Sequence, residues 1–336
     1  MYPFGYQRID TPQALKAAQQ RQRGEADKAV SYLAGGTTLL DLMKLGTLAP
    51  AEILDINGLA HDYGDISWAD DELRLGALVR MSAAADHPRI RSDFPVIAQS
   101  LDLAASPQIR NMASLGGNVL QRTRCNYFRQ TGWTACNKRQ PGSGCAAMEG
   151  VNRKHAILGV SDHCIAAYPG DFGQALVALE ARVDILGFHG TRTLPFHQLH
   201  LAPGSEPERE TVLLPGELIT GFHVPIGPWT RRSLYLKIRD RESYEFALVS
   251  AAVAMHLDDN VIRDVRIALG GVATKPWRAH EAEQQLIGRR PDLPAFEAAS
   301  KVAFAAAVTR PGNRYKVDLG QQTLTRALLQ LAEMEV

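Results

Sequence analysis

The chain has 336 residues, 45% of them hydrophobic and 22% charged, with a formal net charge of +1. That length suits two domains with ample material for cores, and the near balance of charge gives no case for a nucleic-acid partner or an acidic membrane surface. The longest nearly apolar run, Phe246 to Met255, is about half of what spans a bilayer, and the opening Met-Tyr-Pro-Phe-Gly-Tyr-Gln-Arg lacks the charged and apolar regions of a secretory leader. The expectation is no membrane insertion and no export signal on this chain.

In chain order, Lys28 to Leu45 reads as strand, turn and helix, and Glu52 to Ile56 as a short buried strand. "ELRLGALV" (72–79) alternates like a strand, with Ser82 placed to cap the helix that follows. Apolar spacing is helical from Ser92 to Ala105, and "HAILGV" (155–160) returns to a strand pattern. Asp171 to Leu179 predicts an amphipathic helix leading to a strand at Arg182 to Leu186, and "ELITGFHVP" a strand closed by Pro225. Beyond Pro225 to Pro228 the texture changes, which predicts a domain boundary there. "SLYLKIRD", "YEFALVSAAVAMHL" and "VIRDVRIALGGV" read as three long strands, the last two joined by a hairpin-like turn at Asp258-Asp259-Asn260. Helical stretches at Trp277 to Ile287, Leu293 to Val308 and Gln321 to Glu335 finish the chain.

Two glycine pairs stand out. "AGGTTLLDLMK" sets Gly35 and Gly36 between a strand and a helix, where backbone N–H groups can face an anion with no Cβ in the way. Alone, this reads equally as a tight turn with a Thr N-cap, and it is not the G-x-G-x-x-G of a Rossmann site. About 80 residues on, "ASLGGNVLQ" supplies a second pair, Gly116 and Gly117, with Ser114 and Asn118. Two such nests in one domain can hold the two phosphates of a dinucleotide from opposite sides.

All four cysteines fall between Cys125 and Cys164, spaced C-x10-C-x8-C-x18-C. They are too few for a disulfide scaffold in a chain of this length, and their clustering points to a metal site. Structural zinc, an iron–sulfur cluster and incidental thiols are all open from spacing alone. Zinc usually takes paired C-x2–4-C knuckles, and none occurs. Between Gln121 and Lys154, seven Lys and Arg face one acid, Glu149, an excess that would offset an anionic cluster. His155 and His163 flank the loop and read as hydrogen-bonded core or surface histidines. Tyr127, Phe128 and Trp133 read as shielding.

"AGGTTLLDLMK", followed by "ASLGGN", "PGDFGQALVALEARV", "LLPGELITGFHVP" and "YLKIRDRESYEFALVSAAVAM", resembles the FAD-binding medium subunit of the molybdenum hydroxylases. That family includes xanthine dehydrogenase, carbon monoxide dehydrogenase and aldehyde oxidoreductases. The resemblance implies an α+β chain: a two-subdomain FAD-binding fold of the vanillyl-alcohol oxidase (PCMH) type over 1–225, with a cysteine loop at 121–164. A smaller α+β domain of the carbon monoxide dehydrogenase flavoprotein type would follow over 226–336, with a three-stranded sheet and helices. It implies that Ala34, Gly35, Gly36, Thr37, Thr38, Leu39, Leu40, Asp41 and Leu42 wrap the FAD pyrophosphate. Ser114, Gly116, Gly117 and Asn118 would form the second wall. Asp171 would accept a hydrogen bond from the flavin, with Leu214 and Lys237 near the isoalloxazine. By itself, Asp171 reads equally as a helix cap and Lys237 as a surface lysine.

"LQRTRC", "CNKR" and "PGSGCAA" are similar to the bacterial periplasmic aldehyde oxidoreductase branch. That likeness implies a 4Fe–4S cluster ligated by Cys125, Cys136, Cys145 and Cys164. It also implies a heterotrimer: a large subunit with the molybdenum cofactor oxidises an aldehyde, a small subunit with 2Fe–2S centres relays electrons, and FAD here passes them to an external acceptor. No residue of this chain would touch the oxidised substrate. The compartment would be periplasmic by co-export with a tagged partner, or else cytoplasmic. The rivals are a subunit acting on a heterocycle such as xanthine, a zinc-stapled assembly subunit without redox chemistry, and a stand-alone flavin oxidase.

Overall fold

The computed structural model describes residues 1–24, 30–69 and 71–336. The first two residues of the predicted opening strand, Lys28 and Ala29, lie outside the described residues. A small parallel sheet comes first: β1 (Gly5–Arg8), β2 (Val30–Leu33) and β3 (Glu52–Asp55), with β3 in the middle. β1 is followed by helix α1 (Pro12–Gly24), and β2 runs through the first glycine turn into α2 (Leu39–Lys44).

A five-stranded antiparallel sheet of order β4-β5-β8-β6-β7 follows, from β4 (Ile66–Trp68), β5 (Glu72–Gly76), β6 (Arg182–Gly187), β7 (Gly190–Pro195) and the central β8 (Leu218–Pro225). After the single turn α3 (Ala60–Tyr63), five short helices fill the space between β5 and the cysteine loop. They are α4 (Met81–Asp86), α5 (Pro88–Asp93), α6 (Pro95–Asp102), α7 (Pro107–Met112) and α8 (Leu115–Val119). Three of them begin at a proline, which lacks the N–H a first turn leaves unpaired. Ser82 lies inside α4, whose N-cap position is Arg80, so it does not cap the helix. The cysteine loop contributes α9 (Asn126–Arg129), and α10 (Phe172–Ala178) enters the core before β6.

The last sheet has order β12-β11-β10-β9, antiparallel throughout: β9 (Ser233–Ile238), β10 (Val249–Asp258), β11 (Val261–Gly270) and the two-residue edge β12 (Trp277–Arg278). The three long strands are those expected, and β12 adds a short fourth where the sequence reads as helix. Asp259 and Asn260 both adopt positive φ (49° and 57°), the backbone of a tight two-residue hairpin turn. β10 is buried on both faces. Ala252 and Ala254 join the core with Val96, Leu101 and Leu176, while Ala251, Val253 and Met255 pack against α11 (His280–Leu286), α12 (Leu293–Ala303) and α13 (Tyr315–Ala332). This explains its unbroken apolar run.

"HAILGV" forms no strand. Ile157 and Leu158 are buried, yet only a bridge from Leu158 to Ala273 pairs the segment, so an apolar run here marks burial rather than a ladder. α13 begins six residues before the predicted start, because Lys316 is buried in its first turn and donates to the Gly271 carbonyl at 2.7 Å. Among the described residues no helix is long and apolar enough to cross a membrane.

Candidate flavin cleft and cysteine loop

The two glycine turns touch. A Cβ on Gly35 would lie 2.0 Å from the Met112 carbonyl oxygen, so only glycine lets the first turn meet the end of α7. Two residues that the motif reading missed fasten this contact. Asn57 donates to the Ala34 carbonyl at 2.9 Å, and Arg80 donates to Asn57 Oδ1 at 2.9 Å and to the Met112 carbonyl at 2.5 Å. Their signal in the sequence is nil, since neither sits in a recognisable pattern. Gly36 has φ +72°, which favours glycine. In the second turn Ser114 Oγ accepts the Gly117 N–H at 3.2 Å. A Cβ on Gly117 would meet only that hydroxyl, at 3.0 Å.

Two chambers meet at these turns. One, of ≈ 270 Å³, is lined by Ala34 to Leu39, Leu42, Ser114, Gly116 and Gly117. The other, of ≈ 210 Å³, is lined by Asn118, Asp171, Lys237, Tyr244 and Phe246. Thr37, Thr38 and Gly117 belong to both, so they form the waist of one elongated cleft. A dinucleotide fits that shape, with its phosphates at the waist and a ring system at either end. Asn118 supplies a further fit: its Oδ1 is buried and finds no donor among the described residues. An acceptor so placed lowers its cost by receiving a hydrogen bond from a ligand.

The second chamber ends in a buried ion pair. Lys237 Nζ stands 2.8 Å from Asp171 Oδ2, with side-chain exposures of 1% and 5%. Tyr235 donates to Asp171 Oδ1 at 2.6 Å, and Lys237 also donates to the Leu103 carbonyl at 3.0 Å. Burial first, and Asp171 second, push the Tyr235 hydroxyl well above its usual range. Asp171 occupies the N-cap position of α10 without capping it, and Lys237 is no surface lysine. Tyr235, Tyr244 and Phe246 went unnoticed in the sequence because they lie in ordinary strand and turn patterns.

Three residues of the expected site point elsewhere. Asp41 faces the cysteine loop, with Oδ2 2.8 Å from Arg129 and 3.1 Å from Arg124. Leu40 is exposed and lines neither chamber. Leu214 is 61% exposed, on the turn before β8, and is not brought to Lys237.

The cysteine loop packs on the back of α2. Leu42, which lines the first chamber, forms one apolar cluster with Phe128 and Cys136. All four thiols are free and line a single small void of ≈ 10 Å³, walled by Tyr127, Phe128 and Ala147. Among the described residues no group of three or more His, Cys, Asp or Glu converges to hold a metal ion. Chemically, four thiols around one void are the donor set of a thiolate-bound group. Burial pushes the Cys125 thiol up to about 12, against backbone N–H groups of Phe128 and Tyr127 that favour its thiolate. Burial likewise raises Cys164. His155 Nε2 lies 3.2 Å from Cys125 Sγ, and burial lowers the His155 pKa to about 4. Trp133 is 48% exposed and covers Tyr127 edge-on with ring centroids 5.0 Å apart.

Residues 3–227 match the FAD binding domain in molybdopterin dehydrogenase. The chain belongs to that family. Residues 234–331 of this oxidoreductase subunit match the carbon monoxide dehydrogenase flavoprotein C-terminal domain. The flavin subunit is 43% identical to the aldehyde oxidoreductase FAD-binding subunit PaoB of Escherichia coli over 98% of each chain. It is 27% identical to the glyceraldehyde dehydrogenase medium chain of Sulfolobus acidocaldarius, over 86% of this chain and 84% of that one. Its fold is shared with quinoline 2-oxidoreductase from Pseudomonas putida 86, at a TM-score of 0.75 and 20% identity over 99% and 98% of the two chains. FAD is thus the cofactor of this flavin subunit.

Proposed function

We propose that the chain is the FAD- and 4Fe–4S-bearing electron-transfer subunit of a heterotrimeric molybdenum-dependent aldehyde oxidoreductase. The observation that carries the aldehyde is the 43% identity, end to end, with an aldehyde oxidoreductase FAD-binding subunit. The cluster is supported by four free thiols facing one void within a loop of seven basic residues and one acid. We assign the two domains to 1–225 and 226–336.

When bound, FAD supplies a carrier that takes up electrons and hands them to an external acceptor. The chain's own residues then have distinct tasks. The turn at Gly35–Thr38 would bind the pyrophosphate through its backbone N–H groups, Gly116 and Gly117 would let it approach the second turn with no Cβ in the way, and Asn118 Oδ1 would accept from the flavin's polar chain or ring. Lys237, held by Asp171, keeps a positive charge where the reduced flavin ring gains negative charge. Cys125, Cys136, Cys145 and Cys164 hold the cluster, and the basic residues around them offset its charge. Substrate oxidation and the 2Fe–2S relay belong to partner subunits. The compartment follows those partners: a twin-arginine signal on one of them would carry the folded complex to the periplasm, and without one it stays in the cytoplasm.

The test is to co-express the chain with its large and small subunits and mix the complex anaerobically with substrates. An aromatic or aliphatic aldehyde should bleach the flavin absorbance near-stoichiometrically. Bleaching by xanthine and by no aldehyde would replace this reading with a heterocycle hydroxylase.

A further inference from the structure

We infer that His155 is a positioning residue for the cluster, donating a hydrogen bond from its ring N–H to the Cys125 sulfur and raising the cluster's reduction potential. The inference rests on the four-cysteine cluster proposed above. His155 Nε2 is 3.2 Å from Cys125 Sγ, and it is the side-chain donor that reaches a cysteine sulfur among the described residues. A thiolate bound to iron carries no proton, so the hydrogen bond at this contact runs from the ring nitrogen to sulfur. The other ring nitrogen, Nδ1, is buried and finds no hydrogen-bond partner of good geometry among the described residues, which leaves the Nε2–H tautomer to face the sulfur.

The backbone fixes the ring where it is. His155 N–H donates to the Asn152 carbonyl at 3.0 Å. Asn152, itself 3% exposed, donates to the Ala147 carbonyl at 3.2 Å and accepts from the Gly312 N–H at 3.1 Å. On the other side, the Ala156 carbonyl accepts from Asn313 at 3.1 Å. The segment is thereby pinned to the cysteine loop and to the residues before α13 at once. The ring is 6% exposed and faces Tyr127 with centroids 6.1 Å apart.

The backbone N–H groups of Phe128 and Tyr127 also favour the Cys125 thiolate. Reduction adds one electron, and the added negative charge spreads onto the sulfurs. A donor held against one of them stabilises the reduced state more than the oxidised one.

The experiment is a redox titration of the purified complex followed by electron paramagnetic resonance, for wild type, His155→Leu and His155→Gln, with iron and sulfide measured first. We expect His155→Leu to shift the reduction equilibrium about tenfold, roughly 59 mV lower for a one-electron couple. His155→Gln keeps an N–H donor and should recover most of that shift. A full cluster with unchanged potential in His155→Leu overturns the inference. If that variant loses its cluster, wild-type protein labelled with 15N-histidine decides: a histidine nitrogen coupled to the reduced cluster is expected, and its absence overturns the inference. Wild-type protein without iron and sulfide refutes the cluster itself, which the initial analysis reports separately.

Discussion

Asp41 Oδ2 accepts from Arg129 Nη2 at 2.8 Å, which joins the helix after the first glycine turn to the cysteine loop. Arg124 reaches the same oxygen at 3.1 Å and also lines the flavin end of the cleft. With Leu42 packed on Phe128 and Cys136, the pair makes the loop and the phosphate turn one mechanical unit. Asp41→Ala should therefore act at both places. We expect a loss of about 1 kcal/mol in stability, since the pair is partly exposed, together with faster FAD release. Thermal unfolding and flavin fluorescence read the two effects. Unchanged flavin release in a destabilised variant would uncouple the loop from the cleft.

The two glycine turns should respond differently to substitution. Gly117 faces the cleft, so Gly117→Val should fold and fail to retain FAD, because its side chain takes the phosphate's space. Gly35 faces the Met112 carbonyl instead, so Gly35→Ala forces the two turns apart and should cost about 2 kcal/mol. Urea unfolding and FAD content separate the outcomes. Full FAD occupancy in a folded Gly117→Val would remove the second turn from the binding site.

Lys237→Met should be the most damaging single change in the cleft. It leaves the Asp171 carboxylate buried with only Tyr235 as a donor, and breaking such a pair costs about 3–5 kcal/mol. The double variant Asp171→Asn/Lys237→Met should recover most of that loss. Chemical denaturation of the single and double variants measures the coupling. Additive losses would mean that the two side chains do not act as a pair.

Much of this arrangement was legible in the sequence, and what was not has physical reasons. The β10–β11 hairpin could be read because Asp259 and Asn260 suit positive φ between two long apolar runs. The glycine turns could be read because two such pairs have few other uses. β1 and α1 escaped because β1 is mostly exposed and so carries no alternation, while α1 has mean apolar character too low to stand out. "HAILGV" misled because burial against Val272 and Ala273 demands the same residues as a strand. Asp41 was assigned to the cofactor by its place in the motif. Its partners in the structure, Arg124 and Arg129, lie more than 80 residues away, beyond what spacing reveals.

Glu72 gives a pH signature for the five-stranded sheet. Burial works against its charge, but hydrogen bonds from His223, Arg74 and Arg182 outweigh that and hold its pKa down to about 2, below the usual 4.5. The folded chain binds the proton less readily than the unfolded one. Its stabilising contribution is thus complete above about pH 4.5 and is lost as pH falls toward 2. Urea unfolding of wild type and Glu72→Gln should show a gap at pH 6 that narrows below about pH 4.5 and closes only as pH falls to about 2 and below. A gap independent of pH would mean that Glu72 acts through packing alone.

Metal, sulfide and flavin analysis of this chain, prepared anaerobically, tests the central claim most directly. Four free thiols around one void are the number a cubane's coordination would take, and the cleft between the glycine turns has the shape for one dinucleotide. We expect one FAD with about four iron and about four sulfide per chain. Stoichiometric zinc without iron would contradict this, and the cysteine loop would then be a structural staple beside the flavin.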